Sequence, residues 1–177
     1  MNEQADEQRD GRRVFFALWP DDTTRSALRF ATQSAVQACG GRPIAKANLH
    51  LTVAFLGQLT APGLALARAV APIQVGEFEL TLDALGVWPE SKILWLAPMT
   101  LPPALGELEA RLWDGLADSG FRTEERIYRP HVTLARRARA IEAAVEPVRW
   151  PVRELALVES VPYGKNVHYE VLETWPL

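Results

Sequence analysis

With one cysteine, Cys39, the chain can close no internal disulfide and offers no CxxC pair for a metal or redox site. No apolar run approaches the ~18 residues that a membrane-spanning helix needs. The first dozen residues, MNEQADEQRDGR, lack the apolar core of a secretory signal. Neither sign of charge dominates: 19 Lys and Arg against 22 Asp and Glu leave a formal charge of −3. That excludes a protein that coats polyanions, and limits any nucleic-acid contact to something local, such as one terminus or one phosphate. These absences lead us to expect a cytoplasmic protein with no membrane contact, and the lack of a spare amphipathic helix favours a monomer. Histidine is scarce too, at three in 177 residues. What is present is ordinary: 48 % hydrophobic residues, enough for one domain with a full core or two small lobes sharing one.

Residues 1–12 are too polar to offset the entropy of ordering and read as a disordered tail, leaving 13–177 as one domain. RVFFALWP (13–20) is a buried strand ended by proline. The stretch 21–39 opens on capping residues and carries a stripe of Leu28, Ala31, Ala35, Val36 and Cys39, which predicts a helix stopped by Gly40 and Gly41. A strand over 49–56, closed by Gly57, precedes a helix over 62–74 with Pro62 in its first turn. FELTLDALGVWP and KILWLAP read as two strands of a hairpin around PESK. Leu105, Leu108, Leu112 and Leu116 set a helix over 102–120. A strand over 131–136 and a final pair, 151–161 and 166–174 around PYGKN, complete the chain. Strands and helices alternate early but hairpins dominate later, so the fold class expected is α+β, not a doubly wound sheet.

Two of the three histidines share a setting. NLHLTVAFLG (48–57) and RPHVTLAR (129–136) each place a threonine two residues after a histidine inside an apolar strand. With ten threonines in the chain, two such coincidences among three histidines amount to a roughly 1 % accident. In a strand, alternate residues share a face, so His50, Thr52 and Ala54 oppose Leu51, Val53 and Phe55. Likewise His131, Thr133 and Ala135 oppose Val132 and Leu134. Two such faces turned toward each other line a cleft with two imidazoles and two hydroxyls, a set suited to phosphoryl chemistry. One neutral imidazole takes a proton while a protonated one gives a proton to the leaving oxygen, and the hydroxyls donate to phosphate oxygens. Two histidines without a carboxylate or cysteine at ligand spacing make a poor metal shell, so neither metal nor cofactor is expected.

In these motifs, in RVFFALWP and in VHYEVLETWPL, the sequence resembles the 2H phosphoesterase superfamily, in its 2′-5′ RNA ligase / RNA 2′,3′-cyclic phosphodiesterase branch. The likeness covers nearly everything after the tail, with no departure inside the motifs. It implies a bilobal fold of two antiparallel sheets with outer helices, one HxT strand at the centre of each lobe, and a central cleft. It implies hydrolysis of a 2′,3′-cyclic phosphate, on an RNA end or a nucleotide, to a 2′-phosphomonoester without a metal. By the same analogy His131 activates water, His50 protonates O3′, and Thr52 and Thr133 hold the phosphate. Arg136 falls at a further active-site position of the family. Its odd offset from His131 points it to the wrong face of an ideal strand, so that role requires a strand end or a bulge. Ligation is the reverse of the same reaction, and a non-catalytic module for nucleotides or RNA ends is the third reading.

Arg137 and Arg139 follow Arg136 and are candidates either for a basic rim along an RNA backbone or for solvated surface charges. Arg42 and Arg129 are further candidates before the two motif histidines. Phe15, Phe16, Tyr128 and Tyr163 are candidates to stack on a base, with core positions the commoner fate of strand aromatics. His168 has Glu170 where a threonine would stand and is read as structural or exposed. The six tryptophans read as core.

Overall fold

The computed structural model describes residues 11–122, 127–164 and 166–177, Asn166 in its backbone alone. Of the predicted tail, 1–10 lie outside these residues, while Gly11 is described and Arg12 already belongs to the first strand, β1 (Arg12–Leu18). There it pairs with Leu59 and its guanidinium meets Glu159 at 2.7 Å. Helix α1 (Asp22–Ala38) starts where the Asp21 carboxylate accepts the Thr24 amide at 2.7 Å, and buries Thr24, Leu28, Thr32 and Ala35. The two-residue β2 (Arg42–Pro43) and a 3₁₀ turn (Lys46–Asn48) lead into β3 (Leu51–Leu59). Helix α2 (Ala61–Val70) follows, then β4 (Phe78–Leu82), β5 (Ala84–Trp88) and β6 (Ile93–Ala97). Helix α3 (Pro103–Asp118) buries its four leucines completely. Strands β7 (Val132–Arg136), β8 (Val148–Val152), β9 (Glu154–Tyr163) and β10 (Asn166–Pro176) end the chain.

The fold is α+β with two antiparallel sheets, but the strands divide unevenly. Eight form one sheet in the order β10-β9-β1-β3-β7-β6-β5, with β2 on β7, and β4 and β8 form the other. Two segments expected to be single strands are therefore split. FELTLDALGVW breaks at Asp83, whose carboxylate accepts the Met99 amide at 2.7 Å while its own amide donates to Ala97, so β4 and β5 serve different sheets. The strand expected over 151–161 is likewise β8 and β9, parted at Arg153. Strand β3 does not stop at Gly57; a left-handed glycine (φ 76°) carries it on to Leu59.

Between β3 and β7 the large sheet is joined by one residue pair, Leu51 with Val132. This pinch divides it into a half built of β10-β9-β1-β3 and a half built of β7-β6-β5 with β2. The HxT strands thus sit side by side at the midline, where the resemblance had implied one at the centre of each lobe. Val14, Phe16 and Leu18 of β1 join the helices' leucines in the main core, while Phe15 and Ala17 form a separate cluster with Ala156 and Val158. Both faces of β1 are covered, which explains its unbroken apolar run. Helices occupy one face of the sheet and the cleft opens on the other.

Candidate active site

The pairing of Leu51 with Val132 fixes the register at the midline. Antiparallel counting from it carries His50 toward Thr133 and His131 toward Thr52, all four on the face opposite the fully buried Leu51 and Val132. A cleft of ≈ 690 Å³ is lined by His50, Thr52, His131, Thr133 and Arg136 together. The five residues singled out from sequence therefore meet in one place.

Arg136 reaches that face through a bulge. Leu94 pairs with Ala135 and Trp95 with Thr133, so Leu134 has no partner on β6. The extra residue reverses the alternation: Leu134 and Ala135 are both buried, and Arg136 turns to the cleft. Strand β3 does the same. Phe16 pairs with Ala54 and Ala17 with Thr52, leaving Val53 unpaired; Val53 and Ala54 are both buried, and Phe55 emerges into the cleft. The strict alternation read from sequence therefore fails at the same place in both strands. Phe55, assigned to the core face, is instead the counterpart of Arg136, each five residues after its histidine. The Arg13 guanidinium lies 4.9 Å from the centre of its ring.

The imidazoles are held alike. His50 Nδ1 lies 2.7 Å from the carbonyl of Asn48, and His131 Nδ1 lies 2.7 Å from that of Arg129. A carbonyl only accepts, so Nδ1 carries the proton in each ring and Nε2 is left with its lone pair. Their surroundings differ. Trp19 stacks on His50 at 5.6 Å, Phe15 lies 4.9 Å away, and Tyr169 meets the ring edge-on at 4.9 Å. Trp88 stands edge-on to His131 at 4.5 Å. Burial pushes the His50 pKa down to about 4; the Asn48 carbonyl opposes this, and the charges of Arg136 and Arg25, with that of His131 when it is protonated, add to it. Burial also lowers His131, against the Arg129 carbonyl. The free site thus holds two neutral imidazoles near pH 7.

The other candidates scatter. Phe15 is in the cleft beneath His50, whereas Phe16 is core, against Trp175. The Tyr128 hydroxyl donates to the Thr52 carbonyl at 3.3 Å, and burial raises its pKa, keeping it a donor. Arg129 contributes its carbonyl to His131 while its side chain is exposed. Arg42 and Tyr163 lie outside the catalytic cleft, in an adjoining groove, with the exposed His168. Arg137 and Arg139 face a third hollow with Lys92. Sequence reasoning missed Phe55, Tyr169, Trp19 and Trp88. A signal for the tryptophans was available: ALWPD and GVWPE both end a strand in Trp-Pro-acid.

A cleft floored by two HxT strands, each presenting a histidine and a threonine, defines a 2H phosphoesterase. The chain belongs to the 2′-5′ RNA ligase superfamily, whose family model matches residues 20–162. It is 34 % identical over 172 residues to the RNA 2′,3′-cyclic phosphodiesterase of Escherichia coli, covering 94 % of this chain and 97 % of that one. The enzyme of the same name from Thermus thermophilus is 32 % identical, covering 93 % and 90 %. The fold matches the crystal structure of E. coli LigT complexed with 3′-AMP at a TM-score of 0.85 and 32 % identity, over 94 % of this chain and 98 % of that one.

Proposed function

We propose that this protein hydrolyses 2′,3′-cyclic phosphates on RNA ends or nucleotides to 2′-phosphomonoesters, with His50 and His131 as the proton-transfer pair. The observation that carries the reading is the mirrored placement of the two imidazoles, each with Nδ1 tied to the carbonyl two residues back and Nε2 free. The names of the relatives, RNA 2′,3′-cyclic phosphodiesterases from bacteria and archaea, support it.

His131 takes a proton from water as the water oxygen bonds to phosphorus. The P–O3′ bond breaks, and O3′ receives its proton from His50. Thr52 and Thr133 donate to the non-bridging oxygens, and Arg136 balances the charge that gathers on them. Each proton transfer typically contributes ~10²–10⁴-fold. Since the free site leaves both rings neutral, the proton for O3′ is taken up by His50 from solvent as the substrate binds. The phosphate's negative charge, beside a ring that burial and the guanidiniums of Arg136 and Arg25 otherwise hold neutral, raises the His50 pKa.

The test is turnover of 2′,3′-cyclic AMP and of a short RNA ending in a cyclic phosphate, with EDTA present and the 2′- and 3′-phosphate products resolved. The 2′-phosphate is the expected product. Binding of 2′-AMP without turnover would make the cleft a recognition site, and a joined product with added 5′-hydroxyl RNA would establish ligation.

A further inference from the structure

Beside the catalytic cleft runs a second groove of ≈ 540 Å³, and the two share Ile44, Asn48, Arg136, Val167 and Tyr169. The Asn48 amide donates to the Val167 carbonyl at 2.9 Å, tying together two of the residues that line both. On the far side stand Arg42, Tyr163 and His168. Arg42 is the backbone partner of Arg136, which sets the two guanidinium side chains on neighbouring strands. Tyr163, near the tip of the β9–β10 hairpin, is 75 % exposed, so its ring face is open to a stacking partner. No Asp or Glu lines this groove among the described residues.

Resting on the cyclic-phosphate reading of the cleft, we propose that this groove binds the next nucleotide upstream, on the 5′ side of the terminal one, so that the preferred substrate is an RNA end, not a mononucleotide. When the cyclic phosphate sits between the histidines, the terminal ribose continues only through its 5′ oxygen, and that phosphodiester must leave by an open edge of the cleft. At the edge formed by Gly11, Arg13 and Gln58, Arg12 is paired with Glu159 and Arg13 is engaged on Phe55. The Arg136 edge offers two arginines and no carboxylate. Arg42 and Arg136 bracket the departing phosphodiester, and the upstream base stacks on Tyr163. This pairing of backbone charge with an aromatic platform holds single strands with little preference among bases.

The experiment compares kcat/KM for 2′,3′-cyclic AMP with that for the dinucleotide ApA ending in a cyclic phosphate, in wild type, Arg42→Ala, Tyr163→Ala and the double variant. Wild type should prefer the dinucleotide by ~10-fold or more, as one stacked base and one phosphate contact typically allow. The double variant should lose that preference while turning over 2′,3′-cyclic AMP as wild type does, and Arg42→Lys should restore part of it. Equal efficiency on both substrates in wild type, a preference unchanged in the double variant, or equal losses on both substrates would each overturn the proposal. No turnover of either substrate would remove the cyclic-phosphate reading itself; turnover of both without preference would remove only this one.

Discussion

His50 and His131 share a motif and a backbone anchor but not an environment, and the difference bears on their roles. The resemblance makes His50 the acid, yet His50 is the ring held harder against protonation, boxed in by Trp19, Phe15 and Tyr169. A substrate carrying sulfur in place of O3′ separates the roles, because a thiolate leaves without a proton. His50→Ala should recover most of its lost rate on that substrate and His131→Ala should not; the opposite pattern would reverse the assignment. The buried neutral ring also makes stability depend on pH. Between pH 6.5 and about 4 the unfolded chain binds a proton that folded His50 refuses, so stability falls as pH falls through that window. The full effect is ~3 kcal/mol, and burial of His131 adds to it with the same sign. Urea midpoints at pH 7 and pH 5 should therefore draw closer together in His50→Gln, which has no proton to gain. An unchanged gap would mean that His50 is solvated.

At the scale of the element, the bulges at Val53 and Leu134 decide what the cleft contains. The residue pattern gave the strands, the histidines and the threonines, because period-two alternation survives for the first half of each strand. It could not place Phe55, because a bulge inserts one residue at a point that depends on pairing with β1, not on the strand's own composition. For Arg136 a bulge was required by the proposed role, and Leu134 supplies it. The splitting of FELTLDALGVW had one local sign, Asp83, a residue type depleted in strands. The Met99 amide donates to its carboxylate and the run is redirected there, a long-range bond that the pattern alone does not show. Gly41 keeps the Arg136 end of β7 in place. A Cβ there would lie 2.7 Å from the Arg136 carbonyl oxygen and 3.0 Å from the Ala138 backbone, so either the chain around Gly41 or the end of β7 must move. Gly41→Ala should lower kcat/KM for 2′,3′-cyclic AMP by ~10-fold or more with the fold retained by circular dichroism, as misplacement of a charged group by about an ångström does. Wild-type kcat/KM in a folded Gly41→Ala protein would show that Arg136 is not held by this contact.

Across the whole molecule, the two halves of the large sheet meet at Leu51 and Val132 and at little else, with the Tyr128 hydroxyl reaching from the segment before β7 to the Thr52 carbonyl. A continuous ladder would have kept β3 and β7 flush, leaving no room above the histidines. A single pair lets the strands part on either side while holding the two motifs in fixed register, so each half brings one imidazole to a shared cleft. Long-range pairing of this kind is not written in either strand, and from sequence it was approached only through the repeated motif. If the site works as one unit, removing either imidazole should remove most of the acceleration, and removing both should cost little more. The decisive measurement is kcat/KM for 2′,3′-cyclic AMP in His50→Ala, His131→Ala and the double variant, with EDTA present and folding checked by retained binding of 2′-AMP. We expect each single variant to fall by ~10²–10⁴-fold and the double variant to fall no further than the worse single. Near-wild-type turnover in either single variant, with its fold intact, would contradict the paired-histidine account.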